Sequence, residues 1–91
     1  MKYKVEVTNK FKNNFKLCIK RGYNRKLLDN VVNMLKNGEQ LPAKYNDHQL
    51  KGNLKEYREC HITPDWLLIY KIEDDKLILT LTNTGTHSDL F

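Results

Sequence analysis

Tyr57-Arg58-Glu59-Cys60-His61-Ile62-Thr63-Pro64-Asp65-Trp66-Leu67-Leu68-Ile69-Tyr70-Lys71-Ile72-Glu73-Asp74-Asp75-Lys76-Leu77-Ile78-Leu79-Thr80-Leu81-Thr82 is the stretch that decides the fold. It reads as three strands and two tight turns. Residues 57–62 form a strand whose two faces differ, and Thr63-Pro64-Asp65 is a turn. Trp66 to Glu73 is the second strand and Glu73-Asp74-Asp75 the second turn. Lys76 to Thr82 is the third, with Leu77, Leu79 and Leu81 alternating onto one face. Turns this short join neighbours in an antiparallel meander.

Upstream, the period changes. Tyr3, Val5 and Val7 alternate with charged residues as a half-exposed strand does. Thr8 or Asn9 can cap a helix that carries Phe11, Phe15, Cys18, Ile19 and Gly22 at helical spacing. Asn24 can cap a second, striped by Leu27, Leu28, Val31, Val32 and Leu35 and closed by Asn37-Gly38. Residues 39–49 show no sustained period and read as a loop. The order is β-α-α-β-β-β: an α+β two-layer sandwich, its antiparallel sheet covered on one face by a helical hairpin. Ninety-one residues are expected to form a single domain, 1–91, with one modest core.

The 16 Lys+Arg against 11 Asp+Glu leave a net charge of +5. On so small a domain that favours a polyanionic partner, nucleic acid or an acidic protein, although a merely solvated surface would read the same way. Two cysteines are too few for a disulfide framework. The start, Met1-Lys2-Tyr3-Lys4-Val5-Glu6-Val7, has no apolar signal region. The longest apolar run, Trp66 to Tyr70, is too short for a bilayer. A cytoplasmic protein without a membrane partner is expected.

Three histidines carry the chemical interest. His61 closes the first meander strand, His87 follows the last strand after Gly85, and His48 lies in the loop. In a meander the exit of the first strand, the entry of the second and the exit of the third share one sheet edge. His61, Asp65, Trp66 and His87 are therefore expected to converge there, with His48 within reach. Histidines near neutrality suit proton transfer to and from oxygen, each step typically contributing about 10²–10⁴-fold. Beside Arg58 or a lysine, such a set suits RNA phosphodiester transfer, the cation stabilising charge on the phosphorane. Trp66, Tyr57, Tyr70 and Phe91 offer rings for a splayed base. The competing readings are structural: Trp66 as core, Phe91 as a plug for the end of the sheet, single histidines as incidental. Cys60 and His61 point to opposite faces and no Cys-x₂-Cys or His-x₃-His spacing occurs, so no metal site and no cofactor are expected.

Three blocks, Asp47-His48-Gln49-Leu50-Lys51-Gly52, Tyr57 to Lys71, and Gly85-Thr86-His87-Ser88-Asp89-Leu90-Phe91, closely resemble the YafQ branch of the RelE/ParE superfamily, toxins of bacterial type II toxin–antitoxin modules. The resemblance spans essentially the whole chain. It implies a metal-independent, ribosome-dependent mRNA endonuclease on the β-α-α-β-β-β fold, held inactive by a cognate antitoxin and meeting operator DNA only through that antitoxin complex. By motif position, His48, His61, Asp65 and His87 fall where that branch places acid/base and phosphate-handling residues, and Trp66 and Phe91 where it places site aromatics. The implied reaction is attack of a ribose 2′-OH on the adjacent phosphate. His87 would act as acid or base, His61 and His48 would share the complementary role, and Asp65 would orient a neighbouring histidine. One departure is Asn83, where members of the branch often carry a basic residue. Two other classes stay open on the residues alone: a ParE-like gyrase inhibitor, and a non-catalytic RNA- or protein-binding module.

Overall fold

The computed structural model describes residues 2–91; Met1, at the head of the start read above, lies outside them. Strand β1 (Lys4–Val7) leads into helices α1 (Asn9–Lys20) and α2 (Arg25–Lys36). After a connecting segment come β2 (His48–Gln49), β3 (Arg58–Thr63), β4 (Trp66–Glu73), β5 (Ile78–Gly85) and a terminal turn of helix, α3 (His87–Leu90).

The caps are those the sequence offers. The Thr8 side chain accepts from the Phe11 amide at 3.0 Å, and Asn24 accepts from the Lys26 amide at 3.0 Å. Each satisfies a donor that the first helical turn leaves unpaired. Gly38, at φ 78°, ends α2, its amide donating to the Leu35 carbonyl at 3.0 Å. Both helices turn an apolar stripe inward: Phe11 and Cys18 from α1, and Leu28, Val31 and Leu35 from α2. They meet Cys60, Ile62, Trp66, Leu68, Tyr70, Leu79 and Leu81 of the sheet in one core. Ile19 and Leu27, at the margins of the two stripes, stay exposed.

The sheet differs from the expected one in three ways. It has five strands in the order β1-β5-β4-β3-β2. It is mixed, because β1 runs parallel to β5, with Val5 opposite Leu79 and Val7 opposite Leu81. The helical hairpin between them is the long crossover that parallel pairing requires. Second, His48 and Gln49 leave the expected loop to pair with Glu59 and Arg58. Third, β5 begins later and ends later than its leucine pattern suggested. Leu77 sits in the turn at φ 54°, 38 % exposed. A register shift opposite Ile69–Tyr70 then lets the strand run on to Gly85. This bulge resets the alternation, so Leu79 and Leu81 face the core and so does Thr84 beyond it.

Candidate active site

Cross-strand pairing lines up the site. His61 of β3 lies opposite Leu67 of β4, and Leu67 opposite Gly85 of β5. Residues directly opposite share a face, so this row crosses three strands and delivers the chain to Thr86 and His87. His61, Pro64, Asp65, Leu67, Thr86 and His87 line a cleft of about 390 Å³. A second hollow of about 510 Å³ adjoins it through His61 and Pro64 and is edged by Lys44 and Tyr45. Together they form a groove along the end of the sheet.

The expected convergence holds for His61, Asp65 and His87. His48 comes near by another route. It pairs with Glu59, whose side chain shares a face with His61. His48 Nδ1 lies 2.8 Å from the Asn46 carbonyl, and its Nε2 is 3.5 Å from Glu59 Oε1. His61 Nε2 is 3.9 Å from the same oxygen. Glu59 is itself buried, and its other oxygen has no partner. A buried carboxylate without full hydrogen bonding is costly. Here it sits beside two imidazoles that approach only its Oε1, and neither makes a close hydrogen bond to it. Sequence reasoning passed over Glu59, although its position two residues before His61 placed both on one face.

Phe91 is 56 % exposed, and its ring centroid lies 5.1 Å from that of His87 at a tilt of 39°. It is a free aromatic surface beside the histidine rather than a plug.

Two expected substrate contacts lie elsewhere. Trp66 is 1 % exposed. Its ring packs 5.0 Å from Tyr23, and its indole N–H donates to Thr84 Oγ1 at 2.8 Å. It is a core residue, unavailable to a base, and Tyr70, equally buried, is excluded for the same reason. Arg58 points to the opposite face of β3 from His61, because the two are an odd number of residues apart. Its guanidinium donates from Nε and Nη2 to Asp47 at 3.3 and 3.1 Å. The Tyr70 hydroxyl donates to the same carboxylate. Lys44 edges the hollow that His61 also lines, its ammonium 5.1 Å from the centroid of the Tyr45 ring.

Asn83 is also committed inward. It is buried, and its Oδ1 accepts from Asn14 Nδ2 at 2.6 Å and from the Thr84 amide at 2.9 Å. Through that oxygen it ties α1 to β5.

The His87 turn is built by its neighbours. Thr86 caps α3 in a reciprocal box: its hydroxyl accepts from the Asp89 amide at 3.2 Å, and Asp89 Oδ2 accepts from the Thr86 amide at 2.8 Å. Arg21 grips Asp89 with both terminal guanidinium nitrogens, Nη1 and Nη2, at 2.6 and 3.1 Å. That contact first, and the Thr86 amide second, hold the Asp89 carboxyl far below the ordinary carboxylate range.

The profile of the family described as "Bacterial toxin of type II toxin-antitoxin system, YafQ" matches residues 3–91. The mRNA interferase toxin YafQ of Escherichia coli K12 is 40% identical over 88 residues, which are 96% of this chain and 94% of that protein. The fold superposes on one chain of the Escherichia coli DinJ–YafQ toxin–antitoxin complex with a TM-score of 0.91, at 38% identity over 100% of this chain and 99% of that one. A metal-bound toxin from Helicobacter pylori gives a TM-score of 0.91 at 44% identity, with all of both chains covered. With similarity of this extent in both sequence and structure, the chain belongs to the YafQ family of bacterial type II toxin–antitoxin toxins.

Proposed function

We propose that the chain is an endoribonuclease that cleaves mRNA in the groove holding His61, Asp65 and His87, acting as one domain on a message presented by the ribosome. The observation that carries this reading is that two histidines line one cleft, with a third beside the same Glu59 oxygen that His61 approaches.

One histidine takes the proton of the ribose 2′-OH as that oxygen attacks the adjacent phosphorus. The other gives a proton to the departing 5′-oxygen. The bond to the 5′-oxygen breaks as the bond to the 2′-oxygen forms, leaving a 2′,3′-cyclic phosphate and a 5′-OH end. His87, exposed at the mouth, holds one role and His61 the other. Glu59 lies against His61 and His48 and helps to hold both rings in orientation. Asp65 orients the histidine beside it. Lys44 faces the phosphate, and Phe91 supports the base next to the cut.

The Helicobacter pylori relative is described as metal-bound. Among the described residues, no three His, Cys, Asp or Glu side chains are grouped to hold an ion.

The Escherichia coli relative forms a complex with DinJ. By analogy this chain has a cognate antitoxin, and the net charge of +5 suits an acidic segment laid across the groove. Operator DNA would be reached only through that complex. No helix among the described residues is long and apolar enough to cross a membrane, and translating ribosomes place the activity in the cytoplasm.

The test adds purified wild type and His87→Ala to a translating extract and maps message 5′ ends. Wild type is expected to create discrete new ends, and His87→Ala to reduce them by about 10²-fold or more. Equal patterns from both, or none from wild type, would overturn the assignment.

A further inference from the structure

We propose that Arg21, at the carboxyl-terminal end of α1, is a positioning residue for His87, acting through Asp89 to hold the last turn of the chain at the mouth of the cleft. The proposal rests on the reading of His87 as acid or base.

Three observations carry it. Arg21 and Asp89 are 68 residues apart in sequence, yet meet in a two-point contact of 2.6 and 3.1 Å. A guanidinium that bonds both carboxylate oxygens fixes direction as well as distance. The same Asp89 carboxylate closes the capping box on Thr86, so it grips the residue immediately before His87. Finally, the backbone is built to let Asp89 in. Gly85 stands at φ 152°, and a Cβ there would lie 2.8 Å from both Asp89 Cβ and Asp89 Oδ2. Strand end, cap and ion pair thus meet on one carboxylate, with His87 between its two anchor points.

Stability alone is a poor reason for the pair. Both side chains are partly exposed, Arg21 at 40% and Asp89 at 29%, and ion pairs so placed contribute little to folding. A four-residue helix has too few internal bonds to hold its own position. Geometry is what the pair supplies: catalysis is sensitive to displacements of about 1 Å, which can cost up to about 10²-fold.

The test compares wild type, Arg21→Ala, Arg21→Lys and a control, Arg25→Ala, which removes the exposed Arg25–Asp29 pair on α2. Cleavage of a message in a reconstituted translation system gives kcat and KM. Proton NMR follows the His87 ring resonance, which the Phe91 ring shifts in the native turn. For Arg21→Ala, kcat is expected to fall about 10-fold or more with KM within about twofold. Its His87 resonance should move towards the position of a free histidine, while the thermal midpoint drops by no more than about 5 °C. Arg21→Lys, which keeps charge but not the two-point grip, should fall between, and Arg25→Ala should match wild type. An unchanged kcat in Arg21→Ala overturns the proposal. So does a loss of kcat with the His87 resonance in place, or a loss confined to KM, which would make Arg21 an RNA contact. Should His87→Ala cleave like wild type, the catalytic reading fails instead, and the ring resonance still decides whether Arg21 positions that turn.

Discussion

Arg58 and His61 lie on the same strand, three residues apart, and their surroundings are opposite in kind. Arg58, on the helix-facing side, has its guanidinium held at two points by Asp47, which also accepts from the Tyr70 hydroxyl. Burial, and then that Asp47 contact, push the Tyr70 phenol well above its ordinary value. Both oxygens of Asp47 are bonded there. On the other face, Glu59 is buried with one oxygen unpartnered, and its neighbours His48 and His61 stand at 3.5 and 3.9 Å, close enough to attract but too far for good hydrogen bonds. A satisfied cluster stabilises a fold. One left short of partners has capacity for a substrate's protons and charges, and such violations of local economy gather at functional sites.

The comparison breaks most sharply by substitution on each face. His61→Ala is expected to lower the single-turnover cleavage rate by about 10²–10⁴-fold and to leave the thermal midpoint within a few degrees. Tyr70→Phe should do the reverse, costing about 1 kcal/mol in denaturant unfolding with the cleavage rate unchanged. A Tyr70→Phe enzyme that folds normally but cuts slowly would mean that the Arg58 face belongs to the site.

The two aromatic residues sharpen the same contrast. Phe91→Ala, on the exposed ring beside His87, is expected to weaken message binding by about 1–3 kcal/mol, read as a raised KM. Trp66→Phe keeps a ring but loses the indole donor to Thr84. It should cost about 1–2 kcal/mol of stability and leave KM alone. An increase in KM for Trp66→Phe without loss of stability would return that residue to the substrate.

The smallest effect is alkaline. Burial pushes the Cys60 thiol from 9.0 up to about 12. The folded state therefore favours the neutral thiol. Its contribution to stability is whole below pH 9, where the unfolded thiol is also neutral, and is lost as pH rises towards 12. Urea midpoints measured from pH 8 to 10.5 should fall, and less steeply for Cys60→Ala. Parallel curves would show that Cys60 is more open to water than its place in the core implies.

How much was legible in the sequence followed from the range of the interactions. The helices and β3–β5 announce themselves through period, caps and turns, all local signals. The parallel docking of β1 on β5 joins residues more than seventy apart and leaves no local mark. β2, two residues long, is too short to show alternation. Leu77 belongs to the leucine pattern of β5 but lies in the turn, because the register shift that resets the strand is a property of the pairing with β4. In the site, His61, Asp65 and His87 were found because meander topology alone brings them to one edge. The burial of Trp66 needed the helical hairpin, since Tyr23, in the joint between α1 and α2, forms one of its walls. Asn83 looked like a missing phosphate contact, but its amide is engaged by Asn14 of α1, a partner 69 residues away. Glu59 was within reach of a period-of-two argument; the Arg21–Asp89 grip was not.

The central claim is that this groove uses histidines to activate a ribose 2′-OH. The direct measurement takes a message whose cleavage site has been mapped and replaces the single ribose on the 5′ side of that cut with its 2′-deoxy form. Wild-type protein should leave that linkage intact, while cutting the all-ribose message to a 2′,3′-cyclic phosphate and a 5′-OH end. Cleavage of the deoxy linkage at an undiminished rate would contradict the account.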